Sequence, residues 1–140
     1  MSDGPVYRHF LGAWVLDVDT CSFDQGSPPR AGTCRFEEEG DELIISMNWV
    51  DVEGEIHNMA FKGVPNADPA PFNGGELADA LSMDAPSEIE LNSSAYLKGV
   101  ELMTARRTLS RDYTSMELVQ RVILPDGTMP ENRSTYRREN

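Results

Sequence analysis

Turn-forming residues interrupt this 140-residue chain at short intervals: Glu39-Gly40-Asp41, Glu53-Gly54, Asp84-Ala85-Pro86, Lys98-Gly99, Arg111-Asp112 and Pro125-Asp126-Gly127. Between them apolar and polar residues alternate with the period of two of a half-buried strand, and helical periodicity is almost absent. A chain divided in this way has to bury its apolar faces strand against strand, as an all-β sandwich or barrel. Strands are expected near 11–19, 31–39, 42–51, 54–62, 77–83, 87–94, 98–109, 113–124 and 128–138. In the stretch 63–76, Pro65, Pro69 and Pro71 forbid a central strand but allow a short edge-like strand around 69–73.

That small strand decides the topology. Nine up-and-down strands would leave the first and last parallel, whereas ten make them antiparallel and allow an up-and-down barrel to close. Closure sets the start of the first strand, Gly12-x-Trp14, beside the end of the last, Tyr136-Arg137-Arg138. Trp14 is then expected in the barrel floor beneath Arg137 or Arg138, making Gly12, Trp14 and Arg137 structural candidates. The loop 20–30 and the turns at 52–53, Gly74-Gly75, 95–97 and 125–127 share the opposite end, the candidate mouth.

The length suits one domain, 1–140, with residues 1–9 as an N-terminal extension. A net charge of −12 argues against nucleic acid and anionic membranes as partners. The charge is uneven: residues 1–104 hold five basic and 19 acidic side chains, residues 105–140 seven and five. The basic strands are expected to lie beside acidic ones. No apolar run reaches the ~20 residues of a membrane-spanning helix. The N-terminus lacks the basic start and apolar stretch of a secretory signal, so a cytoplasmic protein with Cys21 and Cys34 as thiols is expected. The chain is expected to be a monomer or homodimer.

At particular residues the chain resembles the lipocalin-like (calycin) barrels, in particular a group of mostly uncharacterised bacterial members. The matching pieces are Gly12-x-Trp14-x-Leu16-Asp17, Ser22-Phe23 with Gly26-x-Pro28-Pro29, Phe61-Lys62-Gly63, Pro71-Phe72-Asn73-Gly74, Arg107-Thr108-Leu109-Ser110, Pro125-Asp126-Gly127 and Tyr136-Arg137. They run in order along nearly the whole chain. The resemblance implies a ten-stranded barrel able to hold a small apolar molecule. One departure is Asp112-Tyr113, where such proteins usually carry an Asp-Gly hairpin.

Alternation places Gly12, Trp14, Leu16 and Val18 on one face of the first strand, Leu43, Ile45, Met47 and Trp49 on the third, and His57, Met59 and Phe61 on the fourth. Ile89 and Leu91 follow on the seventh strand, then Met116, Leu118, Gln120 and Val122 on the ninth. The wide or flexible side chains Met47, Trp49, Met59, Phe61 and Met116 suit an adaptable apolar cavity. His57 on that face is a ligand contact or an acid–base candidate, and Gln120 is its polar companion. Arg106 and Arg107 point to opposite faces, and the resemblance favours Arg107 as the inner one. A buried guanidinium needs a carboxylate, either Glu101 on the same face or that of a ligand.

No metal-finger spacing, phosphate loop or nucleophile elbow is present, so no metal or cofactor is expected. The leading expectation is a barrel that binds a small, largely apolar or aromatic molecule through Met47, Trp49, His57, Met59, Phe61, Arg107 and Gln120. The alternatives are a cofactor-free isomerase, cyclase or lyase with His57 as the catalytic group, and a structural or interaction domain with a filled core.

Overall fold

A 3-10 turn (Arg8–Phe10) leads into ten strands: β1 (Gly12–Phe23), β2 (Ala31–Glu39), β3 (Glu42–Val50), β4 (Ile56–Gly63), β5 (Ala70–Pro71), β6 (Ala80–Ser87), β7 (Glu90–Leu97), β8 (Val100–Leu109), β9 (Ser115–Val122) and β10 (Glu131–Arg138). The computed structural model describes residues 5–71 and 78–139. The strands form one antiparallel sheet in the order β4-β3-β2-β1-β10-β9-β8-β7-β6-β5. Ten strands and the antiparallel β1–β10 pairing agree with the parity argument, and the sheet curls into a nearly closed barrel. The small strand is β5, whose Ala70 and Pro71 lie opposite Leu81 and Ala80. Residues 72–73 and the Gly74-Gly75 turn lie outside the described residues. No described helix is long and apolar enough to cross a membrane.

Two strand positions differ from expectation for an identifiable reason. The β6–β7 turn falls after Ser87 rather than at Asp84-Ala85-Pro86, because Pro86 is absorbed by a register irregularity between Asp84 and Ser87. Ile89 consequently sits in the turn and is 41% exposed, while Leu91 is fully buried as expected. A second irregularity between Asp17 and Ser22 leaves Val18 exposed and lets β1 run on to Phe23.

The floor is built around Trp14. It is fully buried, its Nε1 donates to the Phe10 carbonyl at 2.9 Å, and the Arg138 guanidinium carbon lies 4.2 Å from its ring centroid. Of the two expected partners Arg138 is the stacked one. Arg137 is one residue out of phase, faces solvent and reaches Asp17 at 3.3 Å. Arg138 also donates to the Tyr113 carbonyl (2.9 Å), the Leu11 carbonyl (3.0 Å) and the His9 carbonyl. Gly12 adopts φ +113°, a region L side chains avoid, as the chain turns from the 3-10 segment into β1 beneath Arg138. Tyr113 occupies the left-handed position (φ +61°) that an Asp-Gly turn would give to glycine, and its ring stacks on His9 at 4.0 Å. The N-terminal segment is therefore part of the barrel: Tyr7 and Phe10 belong to the core.

The gap between β4 and β6 is bridged by one residue. Asn66, at φ +69°, donates its backbone N–H to the Met83 carbonyl and accepts the Ala85 N–H on Oδ1, each at 2.9 Å. Nearby, a Cβ added at Gly63 would make an ordinary van der Waals contact with Met83 at 3.5 Å, so the Met83 side chain reaches across the gap to within a methyl group of β4.

The fully buried side chains Phe10, Trp14, Phe36, Leu43, Ile45, Leu91 and Met116 all lie towards the floor. Towards the other end Met59 and Met103 are 44% and 45% exposed. The interior is packed in its lower half and open above. The basic strands meet acidic partners at Arg137–Asp17 and Arg106–Glu90 (3.8 Å), but Arg121 and Arg133 converge on Glu131 from within the basic quarter itself (2.6 and 2.7 Å).

Trp14→Ala is expected to cost about 3–5 kcal/mol in denaturant unfolding, as a large core truncation. A loss under about 1 kcal/mol would contradict this packing. Asn66→Ala removes the side-chain half of the bridge, leaving the Ala85 N–H without its partner, and is expected to cost roughly 1–2 kcal/mol, whereas no change in the unfolding midpoint would show that the gap holds without that bond.

Candidate functional site

The open half of the barrel contains a cavity of about 200 Å³. Adjacent strands supply its walls because inward positions recur every second residue. Met47 and Trp49 come from β3, Met59 from β4, Leu16 from β1, Gln120 from β9, and Ser134 and Tyr136 from β10. Phe23, Ser27 and Pro29 of the long loop and Asp51 of the β3–β4 turn form the rim. These loops were expected at the mouth. Gly32 sets the cavity's wall: a side chain there would come within 3.2 Å of Leu16, so glycine lets β2 and the Leu16 side chain pack together.

Four of the expected ligand contacts, Met47, Trp49, Met59 and Gln120, line this space, with Met47 opposite Met59 and Trp49 opposite His57 in the β3–β4 register. Three do not. Phe61 is opposite Ile45 and packs against the lower core. His57 sits at the rim with its side chain 40% exposed; its ring stacks on Trp49 (5.3 Å) and its Nε2 lies 2.8 Å from Asp51 Oδ2. Asp51 Oδ1 accepts the backbone N–H groups of Glu53 and Glu55, each at 2.9 Å. The hydrogen bond from His57, helped by these amides, holds the Asp51 carboxyl below the usual carboxylate range.

Arg107 is inside the barrel and 2% exposed, while Arg106 faces out. Its expected internal partner does not reach it. The register shift between Ala95 and Tyr96 sets Glu101 opposite Tyr96, in an exposed position. Among the described residues no carboxylate pairs with Arg107, and its guanidinium makes one hydrogen bond, from Nη1 to Ser93 Oγ at 3.1 Å. Burial pulls the guanidinium's pKa down, and the neighbouring Cys34 and Tyr136 pull it back. The same neighbourhood shapes the two weak acids. Burial pushes Cys34 up to about 11 against the pull of Arg107, and pushes the Tyr136 phenol well above its ordinary range. Both are protonated at neutral pH, and Cys21 and Cys34 are free. Cys34 is accordingly an inert buried thiol.

Sequence reasoning assigned no role to Tyr136, Ser134, Ser93 or Asp51. Tyr136 and Ser134 were detectable by carrying the inward alternation of the first strand across to its partner, since Leu16 is opposite Tyr136. The loop residues gave no signal, because no periodicity orients a loop side chain. A larger hollow, about 480 Å³, lies on the outer face of β6–β10. It is lined by hydroxyls, charged groups and Asn92, so its chemistry is that of a solvated surface rather than an apolar pocket.

No family model matches the chain, and no curated protein does. Solved structures do. A Schistosoma mansoni fatty acid binding protein in complex with arachidonic acid superposes with a TM-score of 0.62 at 13% identity, over 97% of this chain and 100% of that one. A zebrafish ileal bile acid-binding protein complexed with cholic acid gives 0.54 at 9% identity, over 94% and 99%. The fold is lipocalin-like. At these identities the likeness is one of architecture, and the cavity's chemistry has to be read from this chain's own residues.

Met47→Trp is expected to fill the cavity without forcing the strands apart. Affinity for a neutral apolar fluorophore such as N-phenyl-1-naphthylamine should fall at least tenfold, about 1.4 kcal/mol, with the melting temperature unchanged or higher. A filled interior would instead be overpacked and lose about 1–3 kcal/mol of stability.

Proposed function

We propose that this protein binds a small, largely apolar or aromatic molecule in the open half of its barrel, and that the ligand carries an anionic group directed towards Arg107. The observation that carries this reading is a buried guanidinium with no carboxylate partner among the described residues. A buried charge held by one neutral hydroxyl is costly, and an acid that enters the cavity removes that cost. Tyr136 and Ser134 are on the cavity wall, Tyr136 is a neighbour of Arg107, and both carry hydroxyl donors that an entering anion can use. Met47, Met59 and Trp49 supply the apolar contact, and Gln120 a further polar one.

Volume limits the occupant. At about 200 Å³ the space is below the ~300 Å³ where drug-sized pockets begin. The neighbouring folds hold arachidonic acid and cholic acid, which supports acid binding in such a barrel. The present cavity favours something smaller, unless the Met47–Met59 wall yields.

Catalysis by His57 has weaker support. Its pairing with Asp51 resembles an oriented acid–base group, but the imidazole lies at the rim and does not line the cavity.

The test compares small aromatic and alkyl carboxylic acids with their neutral amides by fluorophore displacement. Acids are expected to bind better, and Arg107→Met should lower their affinity at least tenfold while leaving the amides unchanged. Arg107→Met is expected to fold, since replacing a buried charge by an apolar side chain of similar length is commonly neutral or stabilising. Equal binding of acids and amides, or an Arg107→Met variant that binds acids as the parent does, would overturn the proposal.

A further inference from the structure

The β3–β4 turn carries a donor set that the cavity reading does not use. Within Asp51-Val52-Glu53-Gly54-Glu55-Ile56-His57, one carboxylate oxygen each from Asp51 and Glu55 and a ring nitrogen of His57 all lie within 4.8 Å of one another. We propose that these three side chains bind a divalent first-row transition cation, with Zn²⁺ as the reference ion, at the rim of the barrel mouth.

The geometry agrees with metal–ligand lengths. Zinc bonds to imidazole nitrogen and carboxylate oxygen are about 2.0–2.2 Å, so two such donors at the tetrahedral angle stand roughly 3.4 Å apart. His57 Nε2 and Asp51 Oδ2 are 2.8 Å apart, so the pair has to open by about half an ångström to admit the ion. An ion replacing their mutual hydrogen bond needs only a small side-chain adjustment of His57 and Asp51, and Glu55, which is exposed, closes on it by a side-chain rotation. Metal-binding imidazoles are usually oriented by a second contact, and here the Trp49 ring against His57 supplies one.

The donor types narrow the ion. One imidazole with two carboxylates and no sulfur suits Zn²⁺, Co²⁺ or Mn²⁺, unlike the sulfur donors preferred by Cu⁺ or the all-oxygen sets of Ca²⁺ and Mg²⁺. Three protein ligands leave an open coordination position, as in zinc sites that exchange a ligand. Because Asp51 also lines the cavity rim, that position is next to the route by which a cavity ligand enters. The Arg30 guanidinium opposes binding: its Nη1 comes within 3.9 Å of where a Gly54 side chain would begin. The negative charge of the chain as a whole favours a cation. The site could not be inferred from the cysteines and the histidine spacing, because its signal is the pattern Asp-x-x-x-Glu-x-His across a tight turn.

The test titrates the full chain with ZnCl₂ by calorimetry and with CoCl₂ by visible absorption, at neutral pH. The expected result is one ion per chain, saturating in the micromolar range, with Mg²⁺ and Ca²⁺ at least tenfold weaker. Asp51→Asn, His57→Ala and Glu55→Gln should each weaken binding at least tenfold, with the far-ultraviolet circular dichroism of the parent retained. A Cys21→Ser/Cys34→Ala variant should bind as the parent does. The proposal fails if no saturable binding occurs below about 1 mM, if the three variants bind like the parent, if Mg²⁺ competes equally, or if removing the thiols abolishes the signal. The titration is independent of the fluorophore assay, so the cavity reading and the metal site can fail separately.

Discussion

The architecture depends on the stacking of Arg138 on Trp14. A guanidinium can be withdrawn from water only where its donors are matched, and here three backbone carbonyls from His9, Leu11 and Tyr113 accept them while the indole face accepts the charge. That one side chain joins the N-terminal 3-10 segment, the β8–β9 turn and the end of β10. It also fixes the register in which Trp14 lies opposite Arg138 and Leu16 opposite Tyr136. A slip of one residue would turn every inward side chain of β10 outward. The cavity wall formed by Ser134 and Tyr136 is therefore a consequence of how the floor is closed.

Arg107 shows what the same chemical group does without that matching. It is more deeply buried than Arg138, yet one serine hydroxyl is its described partner. The contrast separates a guanidinium matched within the fold from one that the proposed binding reading rests on. Arg138 is complete within the fold. Arg107 gains most from an anion arriving from outside, and its neighbours Cys34 and Tyr136, both protonated at neutral pH, cannot provide the charge.

The fold was legible because period-two alternation and turn residues are local signals, and because strand parity converts a proline-rich stretch into a topological argument. Trp14 and its basic partner followed from the same parity. The choice between Arg137 and Arg138 did not, since it depends on the phase of β10 within one residue. Half of the site was legible for the same reason: Met47, Trp49, Met59 and Gln120 keep their alternation up to the cavity. Alternation failed at His57, where the strand runs out into the rim and an inward phase no longer means an interior position. It failed for Glu101 because a register shift a few residues away broke the phase. Asp51 and the residues of the long loop were beyond reach, as their orientation is set by tertiary contacts.

The two ends of the barrel differ in what holds them, and this bears on how a ligand enters. At the floor the chain is fixed by aromatic packing and by charged hydrogen bonds, and Asn66 ties β6 across the gap. At the mouth, β4 ends in Ile56 and Met59, which are 72% and 44% exposed, and beside Met59 in the same wall lies another methionine, Met47. Methionine side chains repack at low cost because they have three rotatable bonds and no branch. Deformation on binding is therefore expected at the β3–β4 end of the mouth rather than at the floor. The volume available is adjustable there, while the position of Arg107 is not, because it lies between the buried Leu91 on β7 and the buried Leu118 on β9. In the proposed binding mode, a fixed guanidinium beneath an adjustable apolar wall would discriminate strongly for the charged end of a ligand and weakly for the length of its apolar body.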